Sequence, residues 1–242
     1  MWPRRSSKVF KKGFSSSHNL VADCPGCAES TVQSPPFKSS DDTFKYKLFV
    51  STWNVGGVEP PDDLNMEDLL DTSSSYCDIY VLGFQEIIPL RGSNVLGLER
   101  RRVCMKWNSL VGEALNKEER EEEEVPWGYD CIIIRQMVGL FVTVWVRSHI
   151  RHHIRHLGVS CVGCGFLGYL GNKGSIAIRF QLHETSFCFV CSHLASGGRQ
   201  DDKRHRNDDV SEIFSRTSFP TTSADDHLPK NILDHEYVPI LL

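Results

Sequence analysis

DIYVLGFQE, Asp78 to Glu86, decides how this chain folds. Ile79 to Phe84 is an unbroken apolar run, rich in β-branched and aromatic residues and too short for a helix. It reads as a strand of the buried type. A carboxylate, Glu86, stands at its exit. Upstream, KLFVSTWN (Lys47 to Asn54) reads as a second strand, ended by Gly56 and Gly57. Between them Leu64 to Leu70 reads as a short helix, with Asp62 or Asp63 as its cap. Downstream, Val103, Trp107, Leu110, Val111, Ala114 and Leu115 recur at helical spacing and predict an amphipathic helix over Val95 to Leu115. The run KEEREEEE (Lys117 to Glu124) reads as a solvated end, since like charges at i, i+4 repel. Tyr129 to Gln136 and Leu140 to Arg147 form a hairpin around Gly139. Three more strands follow at Val159 to Cys164, Ser175 to Leu182 and Ser186 to Ser192, then a helix over Gln200 to Ser215. Strand, helix, strand, helix and then a run of strands is an α/β or α+β sandwich, not a regular Rossmann alternation.

The 242 residues, 40% hydrophobic and 24% charged, suit one domain or two small ones with a real core. Val138 to Val146, the longest dense apolar stretch, is far short of the ~20 residues of a membrane span. Net charge is −4, yet Met1 to Leu20 holds five basic residues and no acid, so the rest carries −9. An acidic body disfavours nucleic acid as main partner. Residues 1–43, rich in Ser and Pro, read as a basic solvated tail, with the folded body starting at Phe44. The tail lacks the apolar core of a secretory signal. A cytoplasmic or nuclear, non-secreted protein is expected, with peripheral contact between the tail and anionic lipid.

Nine cysteines include three CxxC pairs, Cys24/Cys27, Cys161/Cys164 and Cys188/Cys191. None stands at zinc-ribbon distance from another. Residues i and i+3 of a strand face opposite ways, so Cys188 and Cys191 cannot share an ion. Reduced thiols are expected.

Four clusters fall mostly where strands run out into loops, the places at which open sheets present functional groups. They are WNVGG (Trp53 to Gly57), GFQEIIPL (Gly83 to Leu90), GYLGNKGS (Gly168 to Ser175) and SHLASG (Ser192 to Gly197), the last followed by RNDD (Arg206 to Asp209). Glu86 after an apolar run is costly unless paired or metal-bound, and Mg²⁺ takes one or two carboxylates with amide oxygens and water. Asn54 can supply the amide. Lys173, between Gly171 and Gly174, fits an anion cradle or, equally, a tight hairpin turn. His193 can stabilise a phosphoryl oxygen or serve as a structural group. His149, His152, His153 and His156 would share one face of a helix, but Arg151 and Arg155 interleave, so a solvated basic connection is expected.

In this order, WNVGG, GFQEIIPL, GYLGNKGSIAIRF and FVCSHLASG with RNDD closely resemble the inositol polyphosphate 5-phosphatases, most of all the plant type I branch. The resemblance implies the N-terminal portion of a DNase I-like four-layer α/β/β/α sandwich over residues 44–236. It implies Mg²⁺-dependent hydrolysis of the 5-phosphate from inositol polyphosphates or phosphoinositide lipids. Glu86 matches the Mg²⁺ ligand, Asn54 the asparagine near metal and scissile phosphate, and His193 the histidine on that phosphate. Lys173 matches the lysine that meets a neighbouring ring phosphate, and Arg206 and Asn207 the Arg-Asn pair of the phosphate site. The chain departs from the pattern after Glu236. The family's Gly-Asp-Leu-Asn-Tyr-Arg strand, with its water-positioning Asp, is replaced by YVPILL, residues 237–242, a divergent tail. An inactive, marginally folded chain with an exposed apolar sheet face is therefore expected. The alternatives are a non-catalytic truncated isoform that binds phosphoinositide or a partner and, disfavoured by the acidic body, a nuclease.

Overall fold

The computed structural model describes residues 12–15, 44–72, 76–88, 98–117, 128–165, 173–198, 200–220 and 228–241. Strand β3 (Ile79–Gln85) is buried at all seven positions, because it is enclosed by strands on both edges and by packed layers on both faces. On one edge it pairs in parallel with β2 (Lys45–Asn54), Leu48 opposite Ile79 through Asn54 opposite Gln85. On the other it pairs antiparallel with β5 (Leu140–Arg147), the inner arm of a hairpin with β4 (Tyr129–Met137). β1 (Lys12–Ser15) adds antiparallel to β2, giving a sheet of order β1-β2-β3-β5-β4. The chain passes from β2 to β3 through α1 (Glu67–Leu70), shorter than expected. The expected caps are not used. Asn65 Oδ1 accepts the Glu67 N–H at 2.9 Å, while Asp62 pairs with Lys106 at 2.6 Å.

A second sheet, β6 (Ile154–Gly163), β7 (Gly174–Leu182), β8 (Thr185–His193) and β9 (Ile240–Leu241), is an antiparallel meander with β9 added parallel. Side-chain alternation sorts the core into layers. Val50, Val81, Val142 and Val144 of the first sheet face Ile176, Ile178, Phe187 and Phe189 of the second. On the outer face of the first sheet Tyr80, Leu82, Phe84 and Phe141 pack on Trp107, Val111 and Leu115 of α2 (Leu98–Leu115). On the outer face of the second, Ala177, Cys188 and Val190 pack on Ile213 of α3 (Gln200–Arg216). Helix, sheet, sheet, helix is the expected four-layer sandwich.

Cys188 and Cys191 face different layers, as strand geometry requires, and burial pushes both thiols up to about 12. Cys24 and Cys27 lie outside the described residues. Three expectations need correction. Residues 12–15, read as part of the solvated tail, pair with β2, so the first sheet takes in chain that precedes Phe44. β7 and β8 are buried almost throughout, since α3 covers one face and the first sheet the other, so their apolar faces are not exposed. The chain at 237–241 is also not a separate tail. Tyr237 and Pro239 accept the N–H groups of Cys188 and Val190, extending the second sheet. No described helix is long and apolar enough to cross a membrane.

The histidine run does not form one helix face. Residues Ser148–His153 form a 3-10 helix and β6 begins at Ile154, because Ile150 and Ile154 are both drawn into the core. His153 packs against His183 of the β7–β8 turn with the rings tilted, centroids 4.3 Å apart, and the Tyr46 hydroxyl hydrogen-bonds with His183 Nε2 at 2.7 Å.

Candidate active site

Parallel pairing makes β2 and β3 run out at the same edge, so Asn54 and Glu86 emerge side by side. Asn54 Nδ2 donates to Glu86 Oε1 at 3.1 Å, while its Oδ1 accepts the Gly56 N–H at 2.9 Å. Glu86 has φ +52°, in the left-handed region, which costs a non-glycine residue about 1–2 kcal/mol. The strain persists because the main chain is held on both sides. Gly57 N–H donates to the Glu86 carbonyl at 2.6 Å and Ile87 N–H to the Gly139 carbonyl at 3.0 Å. Asp71, Val138, His156 and His183 share that backbone region, so what singles Glu86 out is its carboxylate beside Asn54 at the end of a central strand. The Glu86 side chain is 37% exposed, so the expectation of a costly buried carboxylate softens to a half-exposed one.

The second sheet brings the cationic groups. Register pairs Gly174 with His193 at the last rung of β7 and β8, which sets Lys173 beside the imidazole, Nζ 2.8 Å from Nε2. An ammonium only donates, so in this contact Nε2 is the acceptor. Glu86 Oε1 stands 3.5 Å from the same Nε2, a contact that becomes an ion pair when the ring is protonated. Partial burial lowers the Lys173 pKa, with Glu86 and Asp209 opposing. Gly174 has φ +141°, and a Cβ there would overlap the Val162 carbonyl oxygen. Its lack of a side chain thus serves the approach of β6 to β7. Gly171, the other glycine of the expected cradle, lies outside the described residues.

The two halves of the site are locked together from below. Gln85 Nε2 donates to Thr52 Oγ1 at 2.7 Å and to Cys191 Sγ at 3.5 Å, tying β2, β3 and β8. A Cβ on Gly83 would stand 2.6 Å from Cys191 Sγ.

Asn54, Glu86, Lys173 and His193 therefore converge. Arg206 does not join them directly. Its Nη1 donates to the Gly197 carbonyl at 2.9 Å and the Ala195 carbonyl at 3.4 Å, bracing the segment after His193. Asn207 is exposed on α3, and its side chain makes no hydrogen bond to the other four among the described residues. Asp209, the last residue of the RNDD stretch, is buried, and its Oδ2 accepts the Ala195 N–H at 2.7 Å. Its spacing of three from Arg206 was the available signal. Among the described residues no group of three or more His, Cys, Asp or Glu could hold a metal ion. One carboxylate beside one amide does fit a hard cation such as Mg²⁺ that keeps much of its water, not a closed zinc cage.

The endonuclease/exonuclease/phosphatase family 2 profile matches residues 51–241. Type IV inositol polyphosphate 5-phosphatase 9 of Arabidopsis thaliana is 51% identical over all of this chain and 63% of its own length. Type I inositol polyphosphate 5-phosphatase 8 of the same plant is 45% identical over 82% of this chain and 47% of its own. The chain thus spans about half to two thirds of the length of these curated relatives. Among solved structures, the inositol polyphosphate 5-phosphatase domain of SPsynaptojanin, in complex with inositol (1,4)-bisphosphate and calcium ion, superposes with a TM-score of 0.62. It is 30% identical and the match covers 80% of this chain and 50% of that one. With the family profile spanning most of the chain, the four-layer sandwich in place and Asn54, Glu86, Lys173 and His193 gathered at one end of it, this chain belongs to the endonuclease/exonuclease/phosphatase family 2, in its inositol polyphosphate 5-phosphatase group.

Proposed function

We propose that this chain carries the metal-holding and substrate-gripping side of a Mg²⁺-dependent phosphoric monoester hydrolase, which removes the 5-phosphate from inositol polyphosphates or phosphoinositide lipids. The observation that carries this reading is the convergence of Asn54 and Glu86 from one sheet with Lys173 and His193 from the other. The relative solved with inositol (1,4)-bisphosphate and calcium ion supports an inositol phosphate and a divalent cation as ligands. Glu86 would hold Mg²⁺ with Asn54 beside it. When bound, the cation neutralises charge on the reacting phosphoryl oxygens. His193, once protonated, donates to a phosphoryl oxygen. Lys173 binds a neighbouring ring phosphate, its attraction strengthened by partial burial. Asn207, exposed on α3, would add to the substrate side, while Arg206 braces the segment after His193 from the same helix. The basic tail would contact anionic lipid of a cytoplasmic or nuclear membrane surface.

A second reading, binding without turnover, is favoured by the state of the carboxylates. Among the described residues, Glu86 and Asp209 are the carboxylates whose charges act on Lys173. The first is the metal's ligand and the second is engaged with Ala195. Neither is placed to activate water, a role worth ~10²–10⁴-fold in rate. Phosphate release from inositol 1,4,5-trisphosphate and phosphatidylinositol 4,5-bisphosphate, with Mg²⁺ and then with chelator, decides between the two. Release that is lost with chelator and in Glu86→Ala supports the hydrolase. Saturable binding of inositol phosphate without release supports the binding module. Neither binding nor release defeats both.

A further inference from the structure

Helix α3 holds the segment after His193 through two side chains and approaches it closely at a third place. Asp209 accepts the Ala195 N–H at 2.7 Å. Arg206, on the same helix face, donates to the Gly197 and Ala195 carbonyls. Gly197, at φ +132°, lies so close to the Asp202 carboxylate that a Cβ would overlap it. Asp209 is only 8% exposed. A carboxylate so placed is expensive unless its hydrogen bond does something the fold needs. α3 is itself anchored at the end of β6, where Cys164 Sγ donates to the Asp209 carbonyl at 3.7 Å. The anchor therefore runs from β6 through α3 to the backbone two residues past the imidazole.

We propose that Asp209 is a positioning residue of the candidate active site. By holding the Ala195 N–H, it fixes the chain directly after His193, and with it the place of the imidazole between Lys173 and Glu86. This rests on the reading of that cluster as a phosphate-binding centre. Asp209 acts through the backbone of Ala195 and does not meet the phosphate. Such indirect support matters because site geometry must hold within ~0.5 Å, and a 1 Å displacement can cost ~10²-fold. The useful feature of Asp209 is its acceptor oxygen at that position, more than its charge. An asparagine offers the same oxygen, an alanine offers none, and a glutamate offers it one methylene too far.

The test uses the full 242-residue chain with Asp209→Ala, Asp209→Asn and Asp209→Glu. Three quantities are read: hydrogen exchange at the Ala195 amide, the imidazole NMR resonances of His193, and the Kd for inositol 1,4-bisphosphate. Asp209→Ala should speed Ala195 exchange at least tenfold, move the His193 resonances and raise the Kd at least tenfold. Asp209→Asn should restore most of each. If Ala195 exchange rises while the His193 resonances and the Kd stay as in the parent, Asp209 is a staple for the loop and nothing more. If Asp209→Asn is as impaired as Asp209→Ala, the acceptor oxygen is not what matters, and the proposal fails. Should Asp209→Ala not fold, Asp209→Glu decides. The His193 resonances and Kd must change in it and not in Asp209→Asn. If the parent does not bind the bisphosphate, the functional reading falls by itself. Asp209 is then judged on the His193 resonances, which must move in Asp209→Ala and return in Asp209→Asn.

Discussion

Gly174→Ala tests how the fold builds the site. Gly174 is the first residue of β7, paired across to Gly163 on one side and to His193 on the other. At φ +141° its Cβ would overlap the Val162 carbonyl oxygen and lie 3.0 Å from the Gly163 Cα. Backbone cannot swing aside as a flexible side chain can. Either β6 separates from β7 at its last rungs or β7 rotates its end. A positive φ costs alanine about 1–3 kcal/mol. Parting the terminal rung and the Cys164 N–H to Lys173 carbonyl bond, 3.0 Å in the parent, adds about 1 kcal/mol for each hydrogen bond lost. The sum, about 2–5 kcal/mol, is a large part of a typical stability of about 5–15 kcal/mol. Urea unfolding should show a lower midpoint at unchanged slope. The same movement carries Lys173 away from His193, so affinity for inositol 1,4-bisphosphate should fall with stability. A variant within about 0.5 kcal/mol of the parent, the size of an ordinary surface change, would refute the claim that the β6–β7 approach requires glycine here.

Trp107 is buried against Trp53 and Phe84, with ring centroids 5.4 and 5.2 Å away, so Trp107→Ala should cost about 3–5 kcal/mol in urea unfolding. Lys173→Met keeps the stem and removes the charge. It should weaken inositol 1,4-bisphosphate binding about tenfold or more, read by calorimetry, by the loss of one charged hydrogen bond worth about 1.5–3 kcal/mol. Because burial lowers the Lys173 pKa, parent affinity should decline toward alkaline pH before a free lysine would titrate, and the Met variant should lack that decline. His153, His183 and His235 all have pKa values lowered mainly by burial. Each favours its neutral form in the folded chain, so its contribution is complete above about pH 6.5 and is lost as pH falls through the lowered folded value. Asp209, raised by burial, works in the opposite sense at lower pH. The urea midpoint should therefore drop between pH 7 and pH 5, and by less in His183→Gln.

The parts of the fold that were legible in the sequence are those set by short-range periodicity. Ile79 and Val81 alternate with Tyr80, Leu82 and Phe84 between two core layers, and an apolar run with no polar face leaves no other solution. The spacing of Cys188 and Cys191 was enough to place them on opposite faces. The histidine run was harder, because the element there is chosen by two buried isoleucines and not by the histidines between them. His153 finds its partner in His183, thirty residues on, and no local pattern announces that contact.

Site residues divide along the same line. Asn54, Glu86 and His193 sit where strands end, so reading the strands correctly was close to reading the site. Lys173 needed one further fact, the register that sets Gly174 opposite His193. Whether the glycines beside it form an anion cradle or a turn was open from sequence, and for Gly174 the structure answers with a third role, clearance for the neighbouring strand. Arg206 and Asp209 show the opposite failure. Both stand on a helix, and their spacing of three was visible, but what they grip is main chain: the carbonyls of Ala195 and Gly197 and the N–H of Ala195. Backbone partners leave no mark on the sequence of the segment they belong to. A charged pair at i, i+3 beside a strand end that carries candidate site residues is therefore better read first as a brace for that strand's exit, and only then as a ligand for substrate.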